Sequence, residues 1–282
     1  METSGRRRKT GSLWLDWRDL YGLSESAENA MPDNLDIIFA MPHPDDVEIT
    51  CGGTIAKLAK LGHKVGVLHM TNGEPTPRGT LEVRAAESRA AAEVLGVTMI
   101  ETLPLTNREL MDGPPARYAV ATVFRRYRPR VVVGMAGRTP GASPDHYQAQ
   151  LILEGARFYS QLTKWDERFA GTAPHRIDWL WYRPVAIGAE QENWPATFVA
   201  DVSDVYERKI AAISCYKSQF DEQRLERLLH RIRARDANDG ARAGFEYGEL
   251  FALPHPMPLR DPVAHFAGLG PLIPPAYPPR SG

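Results

Sequence analysis

Cysteine is nearly absent from this chain. Only Cys51 and Cys215 occur, far apart, which is too few for a disulfide framework and fits a reducing compartment. No apolar run approaches the ~20 residues that a membrane span needs. An excess of one charge is missing too: 34 Lys and Arg against 35 Asp and Glu leave a formal net charge of −1. Nothing global therefore points to nucleic acid or a membrane surface as a partner. The basic stretch at Arg6 to Lys9 is followed by GSLWLDWRDLYG, which is not the apolar core of a secretion signal. The expectation is a cytoplasmic protein. There is no internal repeat, and no G-x-G-x-x-G follows the first strand, so Gly52-Gly53 is not a dinucleotide fingerprint.

What the chain does hold is alternation. Its 282 residues are enough for one sizeable α/β domain. Segments 35–40, 64–70, 98–103 and 131–134 read as buried strands, and 49–61, 81–95 and 116–127 carry helical periodicity between them. Gly62 and Gly96 close the first two helices. Small residues (Gly52, Gly53, Ala56, Ala59) give the first helix a face for close packing on the sheet. The spacing predicts α/β architecture: a Rossmann-like, mostly parallel sheet with helices on both faces and an active site at the carboxyl ends of the strands. Further on, 145–162 reads as a helix, 177–182 and 197–201 as strands at an antiparallel edge, and 202–215 and 221–234 as amphipathic helices. The chain divides into an N-terminal arm (1–30), an α/β domain (31–253) and a proline-rich tail (254–282) expected to be extended. The arm and the tail leave homo-oligomer contacts open.

The chemistry concentrates where strand one ends, in His43-Pro44-Asp45-Asp46. Zinc takes imidazole nitrogen and carboxylate oxygen, and a catalytic site keeps one position for water. His43 and Asp46, three apart across a proline-held turn, can converge on one ion, leaving Asp45 free to accept a proton. A plainer alternative fits the same residues: Asp45 or Asp46 caps the next helix and His43 is a satisfied loop histidine. Ser143-Pro144-Asp145-His146 follows strand four, at the same edge of the sheet, and His146 there can supply a third ligand.

PHPDDVE after an apolar strand, then RAAESRAAAEVLGV and a later PDH, resembles the LmbE/PIG-L family of zinc-dependent N-acetylglucosaminyl deacetylases. LTNRELMDG, RYRPRVVV and CYKSQF look closest to its bacillithiol-biosynthesis branch. The resemblance implies a hydrolase that removes acetyl from an N-acetylglucosamine-type conjugate. It implies His43, Asp46 and His146 as ligands of Zn2+ (Fe2+ also suits them) and Asp45 as general base. It also implies Arg84 as the arginine that contacts the sugar. Asn107, in the loop after strand three, is a candidate for shaping the sugar pocket. The expected partner is a small amino-sugar conjugate.

One position departs from the family. A histidine usually stands three before the ligand histidine and is associated with stabilising the oxyanion; here it is Ser143. Serine donates a hydrogen bond but carries no positive charge, and losing one oxyanion donor costs about 10²–10³ in rate. His69, His175 and Tyr182 are candidate substitutes. Two other readings stay open: an amidase of a thiol-sugar conjugate by the same mechanism and, given Ser143, a non-catalytic sugar-binding module.

Overall fold

The computed structural model describes residues 34–138, 141–184 and 194–269. Its centre is a seven-stranded sheet: β1 (Ile37–Met41), β2 (Val65–Thr71), β3 (Met99–Leu105), β4 (Val131–Ala136), β5 (Trp179–Pro184), β6 (Ala196–Asp201) and β7 (Gly248–Leu253), in the order β3-β2-β1-β4-β5-β7-β6. The first five strands of that order are mutually parallel. β7 runs antiparallel to both β5 and β6. Every residue of β1 and β2 is buried, as expected for strands covered on both faces.

From β1 the chain winds outward through β2 to β3, then returns to place β4 on the other side of β1. The direction of winding reverses between β1 and β4. A crevice opens outside the carboxyl ends of the strands at such a switch point. The two motifs singled out in the sequence leave β1 and β4, so the topology brings them together there.

The helices are α1 (Asp46–Lys60), α2 (Leu81–Leu95), α3 (Pro114–Tyr127), α4 (Asp145–Tyr159), α5 (Tyr206–Ile213), α6 (Glu222–Ala241) and α7 (Pro262–Leu269). The glycines of α1 do not face the sheet as expected. A Cβ on Gly53 would lie 2.8 Å from Val202 Cβ, and one on Gly52 would lie 3.0 Å from Lys209 Cγ, so the close approach is to α5 and the segment before it.

A buried ionic network fixes the middle of α1. Glu249 of β7 accepts from the amides of Gly53 (3.0 Å) and Thr54 (2.8 Å). Arg183 donates to the Thr50 carbonyl (2.9 Å) and Arg235 to that of Ile49 (2.7 Å). Lys209, fully buried, joins Glu249 to Asp236 with 2.6 Å bonds to each. Side chains from β5, β7, α5 and α6 thus hold the helix whose first turn reaches the crevice.

Several expectations need correction. The strand expected over 177–182 is β5, and it runs parallel to β4, not antiparallel. β7 was not expected at all, although all six of its residues are buried. The tail is not wholly extended, because 262–269 form α7, none of whose residues is buried. The arm (1–30) and the last part of the tail (270–282) lie outside the described residues. Among those described, no helix is long and apolar enough to cross a membrane.

Candidate metal centre

β1 delivers the chain to the crevice, and Pro42 to Asp45 turn it into α1. Asp45 stands immediately before the helix with φ 92°, a left-handed conformation that disfavours non-glycine residues, and its side chain makes no capping hydrogen bond. The capping alternative for Asp45 therefore fails. Its carboxylate is directed to Arg84, whose Nη2 lies 3.3 Å from Oδ2.

Asp46 begins α1. Its Oδ2 accepts from the His43 amide (3.0 Å) and lies 2.9 Å from His43 Nδ1. Its Oδ1 is 3.5 Å from Nε2 of His146, in the first turn of α4. One ligand atom from each of His43, Asp46 and His146 falls within 4.8 Å of the others. Ligands on a tetrahedral zinc ion sit roughly 3.3 Å apart, given bond lengths near 2 Å. Two imidazoles and a carboxylate at this separation fit a divalent ion with one coordination position left for water. The structure brings together the three residues that the sequence offers as ligands.

Asp145 was quoted in the sequence only as part of its motif, and it has a distinct place. Its Oδ2 lies 3.1 Å from His43 Nε2 and accepts from the Arg108 amide at 2.7 Å. With a carboxylate at Nε2, the proton resides there and Nδ1 is left to face the site, the usual arrangement behind a metal-binding histidine. Its sequence signal was adjacency to His146.

Charges respond to this crowding. Burial lowers the His43 pKa, but hydrogen bonds to Asp145 and Asp46 outweigh it and raise the value to about 10. Burial also pushes Asp46 up, yet its bonds to His146 and His43 hold it well below the usual carboxylate range. Asp45 is raised to about 7 by burial and then by the neighbouring Asp46 charge, against the pull of Arg84. A carboxylate near that value suits proton transfer at neutral pH.

The residues expected to meet substrate are placed as follows. Arg84 is buried and committed: Nη2 donates to the Pro44 carbonyl (2.8 Å) as well as to Asp45, and Nη1 to Gln219 Oε1 (3.2 Å). Gly73 makes room for it, since a Cβ there would lie 2.8 Å from Arg84 Cζ. Asn107 is buried and donates to the Gly73 carbonyl (2.8 Å), bracing two loops at the crevice edge. Ser143 is half-buried, and its Oγ accepts from the Asp145 amide at 3.3 Å.

Of the candidate substitutes for the missing histidine, His175 bonds the Pro129 carbonyl (2.7 Å), at the amino end of β4 and so at the opposite edge of the sheet. Tyr182 donates to Glu154 of α4 (2.6 Å). His69 pairs in register with Met41, the last residue of β1. It is fully buried, burial lowers its pKa to about 4, and its Nε2 has no partner. His69 and Tyr182 both stand towards the carboxyl ends of their strands, with His69 one residue further on in register.

Comparison with known proteins gives a consistent setting. A family model described as GlcNAc-PI de-N-acetylase (PIG-L) matches residues 38–156. The diacetylchitobiose deacetylase of Thermococcus kodakarensis is 32% identical over 218 residues, covering 74% of this chain and 79% of that protein. The 4-oxalmesaconate hydratase of Pseudomonas putida is 28% identical over 192 residues, 63% of this chain and 71% of its own. The crystal structure of a conserved protein from Thermus thermophilus superposes with a TM-score of 0.71 at 31% identity, covering 81% of this chain and 98% of that one.

Proposed function

The chain belongs to the PIG-L family, also called LmbE, and from that premise we propose that it is a metal-dependent deacetylase of an N-acetylglucosamine-type conjugate. The observation that carries the reading is the convergence of His43, Asp46 and His146 at one point of the crevice, with Asp45 alongside and outside the triad. The three would hold Zn2+ or, with the same donors, Fe2+. A divalent ion bound there lowers the pKa of water and polarises the amide carbonyl.

The remaining work falls to the chain's own side chains. Asp45 accepts the proton of the attacking water and returns it to the leaving amine, so that acetate and a free amino sugar result. Arg84 keeps the Asp45 carboxylate oriented, and its tie to the Pro44 carbonyl holds the turn itself. Asp145 fixes the His43 ring. Asn107 and Ser143 line the approach of the sugar.

Asp45→Asn tests the assignment. The variant should bind metal as the wild type does, measured by plasma mass spectrometry, while acetate release falls by about 10²–10⁴. His43→Ala, Asp46→Ala and His146→Ala should each lose the metal. Full activity in Asp45→Asn would remove Asp45 from the role of base. The hydratase among the relatives supplies the second reading, addition of water to a carbon–carbon double bond. Acetate as the product separates the two.

A further inference from the structure

Beside the metal centre, the loop after β2, the start of α2 and the end of β3 enclose a groove of about 650 Å³, lined by residues that include Asn72, Glu74, Thr80, Leu81, Glu82 and Leu105. It shares a wall with the site. Gly73, between two lining residues, takes the Asn107 hydrogen bond on its carbonyl and lies against the Arg84 guanidinium, which in turn reaches Asp45.

The lining sets the chemistry. It carries two carboxylates, Glu74 and Glu82, and no Lys, Arg or His. Glu74 is half satisfied: Oε2 accepts from the Thr76 amide (2.9 Å), while Oε1 is buried with no partner. A lining that carries carboxylates offers acceptors to ligand N–H and O–H groups. Of the cations nearby, Arg78 bonds Asp221 and the Gln219 carbonyl, and Arg84 bonds Asp45, the Pro44 carbonyl and Gln219. A phosphate or carboxylate in the groove would meet two carboxylates and no cation among the residues that line it. Leu81 and Leu105 add apolar surface of the kind that packs against a ring face.

We propose that this groove is the aglycone subsite, and that it selects conjugates whose aglycone is neutral or cationic and rich in hydrogen-bond donors, against phosphate- or carboxylate-bearing ones. Placing the aglycone there rests on the deacetylase reading; the charge preference of the groove does not.

Two glycosides of N-acetylglucosamine, 2-aminoethyl and 2-carboxyethyl, are the probes. Wild-type protein should favour the aminoethyl compound in kcat/KM on the order of tenfold. The difference should lie mainly in KM and shrink at high salt. Glu74→Gln combined with Glu82→Gln should bring the ratio towards one, with thermal unfolding recorded to verify the fold. Equal turnover of the two glycosides by wild type, or preference for the carboxyethyl compound, overturns the proposal. If neither is cleaved, the deacetylase reading fails. Calorimetric binding of the same two compounds to metal-loaded protein then decides the groove: tighter aminoethyl binding upholds it, and equal or absent binding overturns it.

Discussion

Lys209→Met probes what keeps α1, and hence Asp46, in place. Nζ of Lys209 lies 2.6 Å from both Asp236 and Glu249, with no exposed surface. Around it Arg183 and Arg235 pair with Asp236, and Arg183 with Asp239, so that three cations balance three anions. Methionine fills a similar volume and leaves one negative charge uncompensated. Removing one partner from a buried ion pair costs about 3–5 kcal/mol, a large part of the ~5–15 kcal/mol that holds a domain folded. The lower end applies here, because Asp236 keeps two arginines and Glu249 keeps the Gly53 and Thr54 amides. Lys209→Met with Glu249→Gln restores neutrality, and the pair should be more stable than the single variant by at least ~1 kcal/mol. Acidity adds a signature. Burial raises the Asp236 pKa, but the charges of Lys209, Arg235 and Arg183 outweigh it and hold the carboxyl below its usual value. A carboxylate held low contributes stability that is present above its unfolded pKa and lost as pH falls through the folded one. Removing Lys209 weakens that contribution, so the deficit of the variant should be widest at neutral pH and narrow below about pH 4. Urea unfolding followed by circular dichroism measures all of this. A loss below ~1 kcal/mol, or a double variant less stable than the single one, would refute the reasoning.

Asp145→Asn should weaken metal affinity by about 10–100-fold in a chelator competition, because the His43 ring loses its charged anchor. Unchanged affinity would mean that the His43 tautomer is fixed by something else. Ser143→His should raise kcat by about tenfold or more if the missing oxyanion donor limits the rate, and an unchanged kcat would mean that another group already donates.

The part of the fold nearest the site was legible, because strands covered on both faces write themselves as apolar runs and helices between them as a 3.6-residue period. PHPDD and PDH were legible as well, their residue types matching a metal's preferences. α1 starts three residues before the expected position 49, and the Asp46 carboxylate bonds back to His43 from within the helix. The buried network was invisible to any hydrophobic reading. α6 buries Ile232, Arg235, Asp236 and Asp239 at helical spacing, but that stripe is mostly charged. β7 escaped notice because Glu249 interrupts its apolar run, and Glu249 is there to meet α1. Lys209 gave one sign, a lysine between Tyr206 and Ile213 on the buried face of α5. The sharing of Arg84 between Asp45, Pro44 and Gln219 depends on contacts 39, 40 and 135 residues away and has no local signature.

Zinc titrated into chelator-treated protein, with acetate release from an N-acetylglucosamine glycoside followed at each addition, tests the central claim most directly. Release should rise in proportion to bound ion and level off at one ion per chain, the capacity of the His43, Asp46 and His146 site. Acetate release that ignores the ion would contradict the account, as would stoichiometric binding with no acetate from any acylated amino sugar.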